Sequence, residues 1–221
     1  NNSGRHITSG IYNVILGNDA GRESTEGNFN VFIGNSAGEK VSNGSSNVFI
    51  GRNSGVNVTT GGNNVFLGSE SGNSTIGGNS NIYLGYLTGH SNQDGYNNVM
   101  VGGESGYSNQ TGRCNTFLGY RAGSNNVTGE YNVFIGNHAG MNETGTAKLY
   151  IANSEANQDE ALIYGDFDAK YLQFNVFDGK VNINDVLRLT PRTEAPDSPE
   201  EGDMYLDSTQ GTVRIYVNST W

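Results

Sequence analysis

Short apolar triplets recur at a constant interval along the first two thirds of the chain. One of them is Val31-Phe32-Ile33, which follows Asn30 and precedes Gly34. Glycines stand four and eight residues after each leading Asn and three residues before it, and a small residue (Ala, Ser or Thr) precedes the second glycine. The leading Asn returns every 17 residues without insertion or deletion, at Asn13, Asn30, Asn47, Asn64, Asn81, Asn98, Asn115 and Asn132. Such self-similarity indicates a repeat architecture.

The length of the repeat predicts its structure. Seventeen residues are too few for two helices and a turn, but they suit one coil of a β-solenoid. The triplets are β-branched and aromatic, as strands prefer. The glycines suit corners with positive φ or closely stacked backbones. The sequence therefore predicts an all-β fold: a β-solenoid, or β-roll, over residues 1–146, with roughly eight coils spanning about 40 Å. Ser3 and Gly4 match the small-Gly positions of a preceding unit, so we expect further repeats upstream.

The Asn that opens each triplet has two interpretations. In a stack with a strict period, equivalent residues form ladders along the axis, and Asn side chains can hydrogen-bond from coil to coil. Alternatively, Asn is a turn residue that tolerates the left-handed region. We predict the ladder.

Both faces of each triplet are apolar. Val31 and Ile33 point one way and Phe32 the other, and the same alternation recurs in every repeat. A thin coil hides one of these rows easily, and an exposed ladder of the other would be a large adhesive patch. We therefore predict an oligomer in which that row meets its copies on a symmetry axis, and expect that replacing Phe49 and Phe66 loosens its assembly. The alternative is that Phe fills the coil and the opposite wall covers the Val/Ile row.

The register fails after Gly140, because Gly145 is one residue early and the next Asn is absent. Residues 147–190 are predicted to form a region of short strands, and residues 191–221 a Pro-rich acidic linker followed by a β-hairpin. The predicted strands are Ala147–Ala152, Ala161–Tyr164, Tyr171–Phe174, Lys180–Ile183 and Val186–Leu189, and the predicted hairpin is Asp203–Asp207, a turn at Ser208–Gly211, then Thr212–Val217.

Composition narrows the functional classes. The chain has 33 Gly, a formal net charge of -10 and a pI near 4.6. Nucleic-acid binding needs clustered Lys and Arg, so nucleic acid is excluded as the main partner. Cys114 is the only cysteine, which rules out an intrachain disulfide. No run of 18 apolar residues exists, so we expect no membrane insertion of this segment.

Candidate catalytic chemistry is sparse. His6, His90 and His138 are scattered, without partners at metal-ligand spacing, and are predicted to be surface residues. The glycines follow the repeat and match no phosphate-binding motif. An aspartate group in the C-terminal part fits strand-end turns better than a Ca²⁺ site: Asp166, Asp168, Asp178 and Asp185. The sequence therefore predicts no enzyme, no catalytic residues, no cofactor and no metal, and leaves the ligand-binding residues unknown.

Two parts of the chain resemble known protein families. The pattern N-V-F-I-G-x-x-A-G resembles the head repeat of YadA-like trimeric autotransporter adhesins, whose heads are trimers of parallel β-rolls; here the period is longer and Phe replaces a small residue. The C-terminal part resembles segments of bacteroidete surface proteins and phage tail-fibre proteins. The residues that carry this second resemblance are Leu162–Phe167, Leu187–Arg192, Glu201–Asp207 and Val217–Trp221.

These resemblances imply that the oligomer is a homotrimer. They imply an extracellular fibre or adhesin head segment that mediates attachment at a cell surface or in a virion tail fibre, with a surface receptor or glycan as a further partner. An alternative is the carbohydrate-binding module of a phage tail fibre, with exposed tyrosines as contact residues: Tyr86, Tyr107, Tyr120 and Tyr131. A third class is an ice-binding solenoid, which needs a flat Thr array. The row of Thr60, Thr111 and Thr128 is interrupted by Ile76, Glu26 and Asp94.

Overall fold

The computed structural model describes residues 2–176, 181, 191–195 and 203–216. Within these residues every regular element is a β-strand, and no helix is long and apolar enough to cross a membrane. The eight triplets form eight three-residue strands: β1 (Val14–Leu16), β2 (Val31–Ile33), β3 (Val48–Ile50), β4 (Val65–Leu67), β5 (Ile82–Leu84), β6 (Val99–Val101), β7 (Thr116–Leu118) and β8 (Val133–Ile135). Neighbouring strands pair in parallel at an offset of 17 residues, for example Val31 with Val48. The predicted all-β solenoid is confirmed.

The middle residue of each strand points into the coil. Phe32, Phe49 and Phe66 are completely buried, and their rings stack at centroid distances of 5.4 and 4.8 Å. Burying a side chain of this size contributes about 1.5–3 kcal/mol. We call this the inner row: Ile15, Phe32, Phe49, Phe66, Tyr83, Met100, Phe117 and Phe134. Phe therefore fills the coil, as the alternative stated. The Val/Ile row faces outward and is partly exposed, and no opposite wall among the described residues covers it.

The Asn ladder lies beside the inner row. The backbone N–H of Asn47 donates to Oδ1 of Asn30 at 2.9 Å, and Nδ2 of Asn47 donates to the carbonyl of Gly61 in the following coil at 2.9 Å. Both asparagines are completely buried. Each Asn side chain thus hydrogen-bonds a buried backbone N–H and a buried backbone carbonyl that lie outside the strands. The predicted ladder is confirmed.

Two of the three glycine rows lie where successive coils stack closely. Gly51 has a φ of +135°, and a Cβ there would lie 2.4 Å from the carbonyl oxygen of Gly68. Gly44 has no such φ, but its Cβ would lie equally close to the oxygen of Gly61. Close stacking of successive coils therefore excludes a side chain at both positions, independently of the left-handed conformation.

Two further corners of each coil use the left-handed region without glycine. Leu87 and Arg121 occupy one of them, with φ of 54° and 55°, and Phe29 occupies the other with 58°. Non-glycine residues rarely adopt this conformation, which costs roughly 1–2 kcal/mol each. Hydrogen bonds to the neighbouring coil stabilise this left-handed conformation. The N–H of Arg121, for example, donates to the carbonyl of Gly103 in the preceding coil at 2.9 Å.

The solenoid's sheet continues through three strands beyond the repeats: β9 (Lys148–Ile151), β10 (Ile163–Asp166) and β11 (Tyr171–Phe174). β9 pairs in parallel with β8 at an offset of 16, because the last coil is one residue shorter. The early Gly145 takes the stacked-glycine position, and Lys148 N–H takes the place of the absent Asn, donating to Oδ1 of Asn132 at 2.8 Å. β10 and β11 are antiparallel additions.

The contacts of the chain define two compact units, Asn1–Phe177 and Asp178–Trp221. In the second unit β12 (Pro191–Arg192) pairs in parallel with β13 (Met204–Asp207), which forms a hairpin with β14 (Thr212–Ile215). The predicted C-terminal hairpin and its turn at 208–211 are confirmed over these strands, and the predicted end at Val217 lies outside the described residues. The predicted strands Lys180–Ile183 and Val186–Leu189 lie outside the described residues.

Candidate interaction surface

Two rows of apolar side chains run along the outside of the sheet. They are the first and third residues of each strand, and none of them is fully buried; Leu67 is 40% exposed. We call these residues the outer rows: Val14, Leu16, Val31, Ile33, Val48, Ile50, Val65, Leu67, Ile82, Leu84, Val99, Val101, Thr116, Leu118, Val133 and Ile135.

The outer rows continue past the repeats. In β9, Leu149 pairs with Val133 and Ile151 pairs with Ile135, so both extend the outer rows. In β10 the equivalent positions are Ile163 and Gly165, and in β11 they are Phe174 and Leu172. The same apolar face therefore covers all eleven strands, including the part in which the sequence repeat has ended.

This face is apolar, partly exposed and uncharged. Seven of its side chains are more than one third exposed: Val14, Leu16, Leu67, Ile82, Ile135, Leu172 and Phe174. Monomeric proteins rarely expose contiguous apolar patches larger than a few hundred Å². None of the residues in the outer rows or their continuation is charged, although the chain carries a net charge of -10. Depletion of charge is typical of the core of an interface.

Aromatic side chains flank this face. Tyr86 and Tyr120 lie two coils apart on one side, with Gly103 between them, and Tyr131 lies on the other side. The Arg121 guanidinium lies 5.3 Å from the Tyr120 ring centroid and its Nε contacts Glu104 at 2.7 Å. The structure thus places two of the four predicted contact tyrosines in one column.

Tyr107, the fourth predicted contact residue, lies elsewhere. Its ring stacks on His90 with a centroid distance of 5.1 Å. His90 Nε2 lies 3.9 Å from Glu70, and its pKa is lowered, mainly by burial. The structure therefore does not join the four tyrosines into one site.

The remaining titratable candidates are separate. His6 is exposed, and His138 contacts the Tyr120 ring edge-on at 5.2 Å. Asp166 ends β10 and forms an ion pair with Lys148, and Asp168 lies in the following turn, as predicted. Within the described part of the chain no three His, Cys, Asp or Glu side chains are grouped so as to hold a metal ion. Asp178 and Asp185 lie outside it.

Comparison of the chain with models of protein families, with curated proteins and with solved structures finds no significant match. Functional inference therefore depends on the surface itself.

Proposed function

We propose that this chain is a structural segment of an extracellular fibre or adhesin head, and that it assembles as a homotrimer through the outer rows. The observation that carries the proposal is the uncharged apolar face along all eleven strands. A protein that lies in water and buries this face gains roughly 25 cal/mol for each Å² removed from solvent.

A second copy is the partner that matches this face best. The outer rows repeat at the spacing of the strands, about 4.8 Å. A copy of the same sheet presents side chains at the same spacing, so the two sets interlock along their whole length. We propose three copies because the repeat resembles trimeric adhesin heads. Three parallel chains around one axis have cyclic symmetry, as most homo-oligomers do.

Assembly can be tested by chemical crosslinking of the chain at micromolar concentration, followed by denaturing electrophoresis. We expect products that end at three chains. Products that end at two would support a dimer through the same face, and the absence of any product would contradict self-association.

A carbohydrate-binding role is the second candidate, favoured by the column of Tyr86 and Tyr120. Aromatic rings with one exposed face and a polar edge are suited to sugar stacking. A glycan array probed with the assembled chain separates the two roles. Saturable binding that is lost in the variant with Tyr86→Ala and Tyr120→Ala would favour the carbohydrate-binding module. A structural segment is expected to give no such signal.

A further inference from the structure

The outer face has a depression at Gly165. Gly165 pairs with Leu149 of β9 and with Leu172 of β11, so it occupies an outer-row position but has no side chain. The result is a cavity of about 400 Å³. We call it the Gly165 socket, and it is lined by Leu149, Gly165, Asp166, Phe167, Lys170, Tyr171 and Leu172.

The chemistry of the socket favours an apolar occupant. Leu149, Phe167 and Leu172 supply apolar walls, and Phe167 and Leu172 are each more than half exposed. The carboxylate of Asp166 is paired with Lys148 and accepts a hydrogen bond from Ala169 N–H, so its charge is already compensated. A large apolar side chain entering from outside would cover exposed Leu and Phe surface without separating an ion pair.

The repeats alone specify the axial alignment of two copies poorly. Each coil presents nearly the same pair of outer residues, so sliding one copy by one strand spacing, about 4.8 Å, restores almost the same contacts. Flat, repetitive strand faces are prone to slippage for this reason. The socket and the aromatic residue Phe174 are features of this face that none of the repeat coils has.

We propose that the Gly165 socket receives an apolar side chain from the β10–β11 hairpin of a second copy and thereby fixes the axial register of the assembly. This inference rests on the proposed self-association. Cyclic symmetry places equivalent residues at the same height, so hairpin meets hairpin when the copies are in register. The solenoid supplies the contact area, and the hairpin supplies the alignment.

The test compares two similarly exposed apolar residues in the full chain. Leu172 is 53% exposed on the outer face, and Ile76 is 48% exposed beside Thr59 and Gln93, away from that face. We expect Leu172→Ser to raise the dissociation constant of the assembly about tenfold or more, the size of effect seen at interface hot spots. Ile76→Ser is expected to leave it unchanged.

The single cysteine provides a direct readout of register. A spin label on Cys114 measures distances between copies, and an aligned assembly gives one narrow distance. We expect additional distances in Leu172→Ser and in Gly165→Val, whose side chain fills the socket; its Cβ would lie 3.2 Å from Cβ of Leu149. Circular dichroism verifies that each variant is folded. If Leu172→Ser does not fold, Gly165→Val alone tests the register.

The outcomes separate the two proposals. A monomeric wild type would overturn both. If substitution of Leu67 in the outer rows dissociates the assembly, but Leu172→Ser and Gly165→Val retain the wild-type affinity and a single distance, self-association stands and the register inference is wrong.

Discussion

Asn64 donates twice to the side chain of Asn47 in the coil before it. Its backbone N–H lies 3.1 Å from Oδ1 of Asn47, and its own Nδ2 lies 3.2 Å from the same oxygen. In the other direction, Asn64 accepts from Asn81 N–H at 3.0 Å and donates to the carbonyl of Gly78 at 2.8 Å. One buried amide therefore connects three coils, and the stack depends on it.

Asn64→Ala should destabilise the solenoid by about 2–5 kcal/mol, because it leaves a buried N–H and a buried carbonyl without partners. Asn35→Ala is the matched control, since Asn35 is exposed and its only side-chain hydrogen bond among the described residues is at 3.3 Å; its effect should stay within about 0.5 kcal/mol. Thermal unfolding at fixed chain concentration measures both. Equal shifts in the two variants would contradict a structural role for the ladder.

Adjacent glycines should respond in opposite ways to alanine. A Cβ at Gly102, where φ is +125°, would lie 2.4 Å from the carbonyl oxygen of Gly119, whereas at Gly103 the nearest atom is Cδ2 of Tyr120 at 3.5 Å. Gly102→Ala should cost more than about 4 kcal/mol, since the clashing atoms are backbone. Gly103→Ala should range from no change to a gain of about 1 kcal/mol. Calorimetry of both variants measures this, and a tolerated Gly102→Ala would show that the coils stack less closely.

Tyr83 interrupts the inner row with a hydroxyl that is completely buried and makes no hydrogen bond of good geometry within the described residues. Burial is the main reason that the pKa of Tyr83 is raised. An unfolded chain releases this proton near pH 10. The stability that Tyr83 contributes in its neutral form is therefore present below about pH 10 and lost as the pH rises above it.

Tyr83→Phe should stabilise the protein by about 1 kcal/mol at neutral pH, because it removes a buried hydroxyl that lacks a hydrogen bond of good geometry. The gain should grow above pH 10. Denaturant unfolding at pH 7 and pH 11 measures it. A pH-independent difference between variant and wild type would mean that Tyr83 ionises equally in both states.

The repeat predicted most of the fold for a physical reason. A strict period stacks identical coils, so the ends of the triplets are also the ends of the strands, as in Val31–Ile33. The period does not decide which face of the strand is inside. That depends on how much width the buried Asn and Ala side chains leave in the coil, and Phe32 fills that width.

The interaction surface was only partly predictable. The continuation of the outer rows into β10 depends on the antiparallel register of Ile163 with Ile151, which no repeat specifies. The left-handed corners are occupied by residues as different as Asp19, Ser36 and Leu87. Residue type therefore does not predict where these corners lie. The sequence suggested all four tyrosines as contact residues. They occupy different positions within the 17-residue coil, however, and therefore lie on different sides of it.

Two equally apolar, comparably exposed residues test the outer rows. Leu67 lies on the outer face and is 40% exposed; Ile76 lies away from that face, beside Thr59 and Gln93, and is 48% exposed. Leu67→Ser should weaken assembly about tenfold, because every copy loses a contact at the interface centre. Ile76→Ser should leave assembly unchanged. Size-exclusion chromatography over a dilution series compares them, and weakening by Ile76→Ser alone would place the interface on the other side of the coil.

The mass of the wild-type chain in solution tests the central claim most directly. Sedimentation equilibrium at micromolar concentration should give a species of three times the 23.6 kDa chain mass, if the uncharged outer rows are buried between three copies as we propose. A single species of 23.6 kDa under the same conditions would contradict the account, and would show that the coil is stable with its apolar face in water.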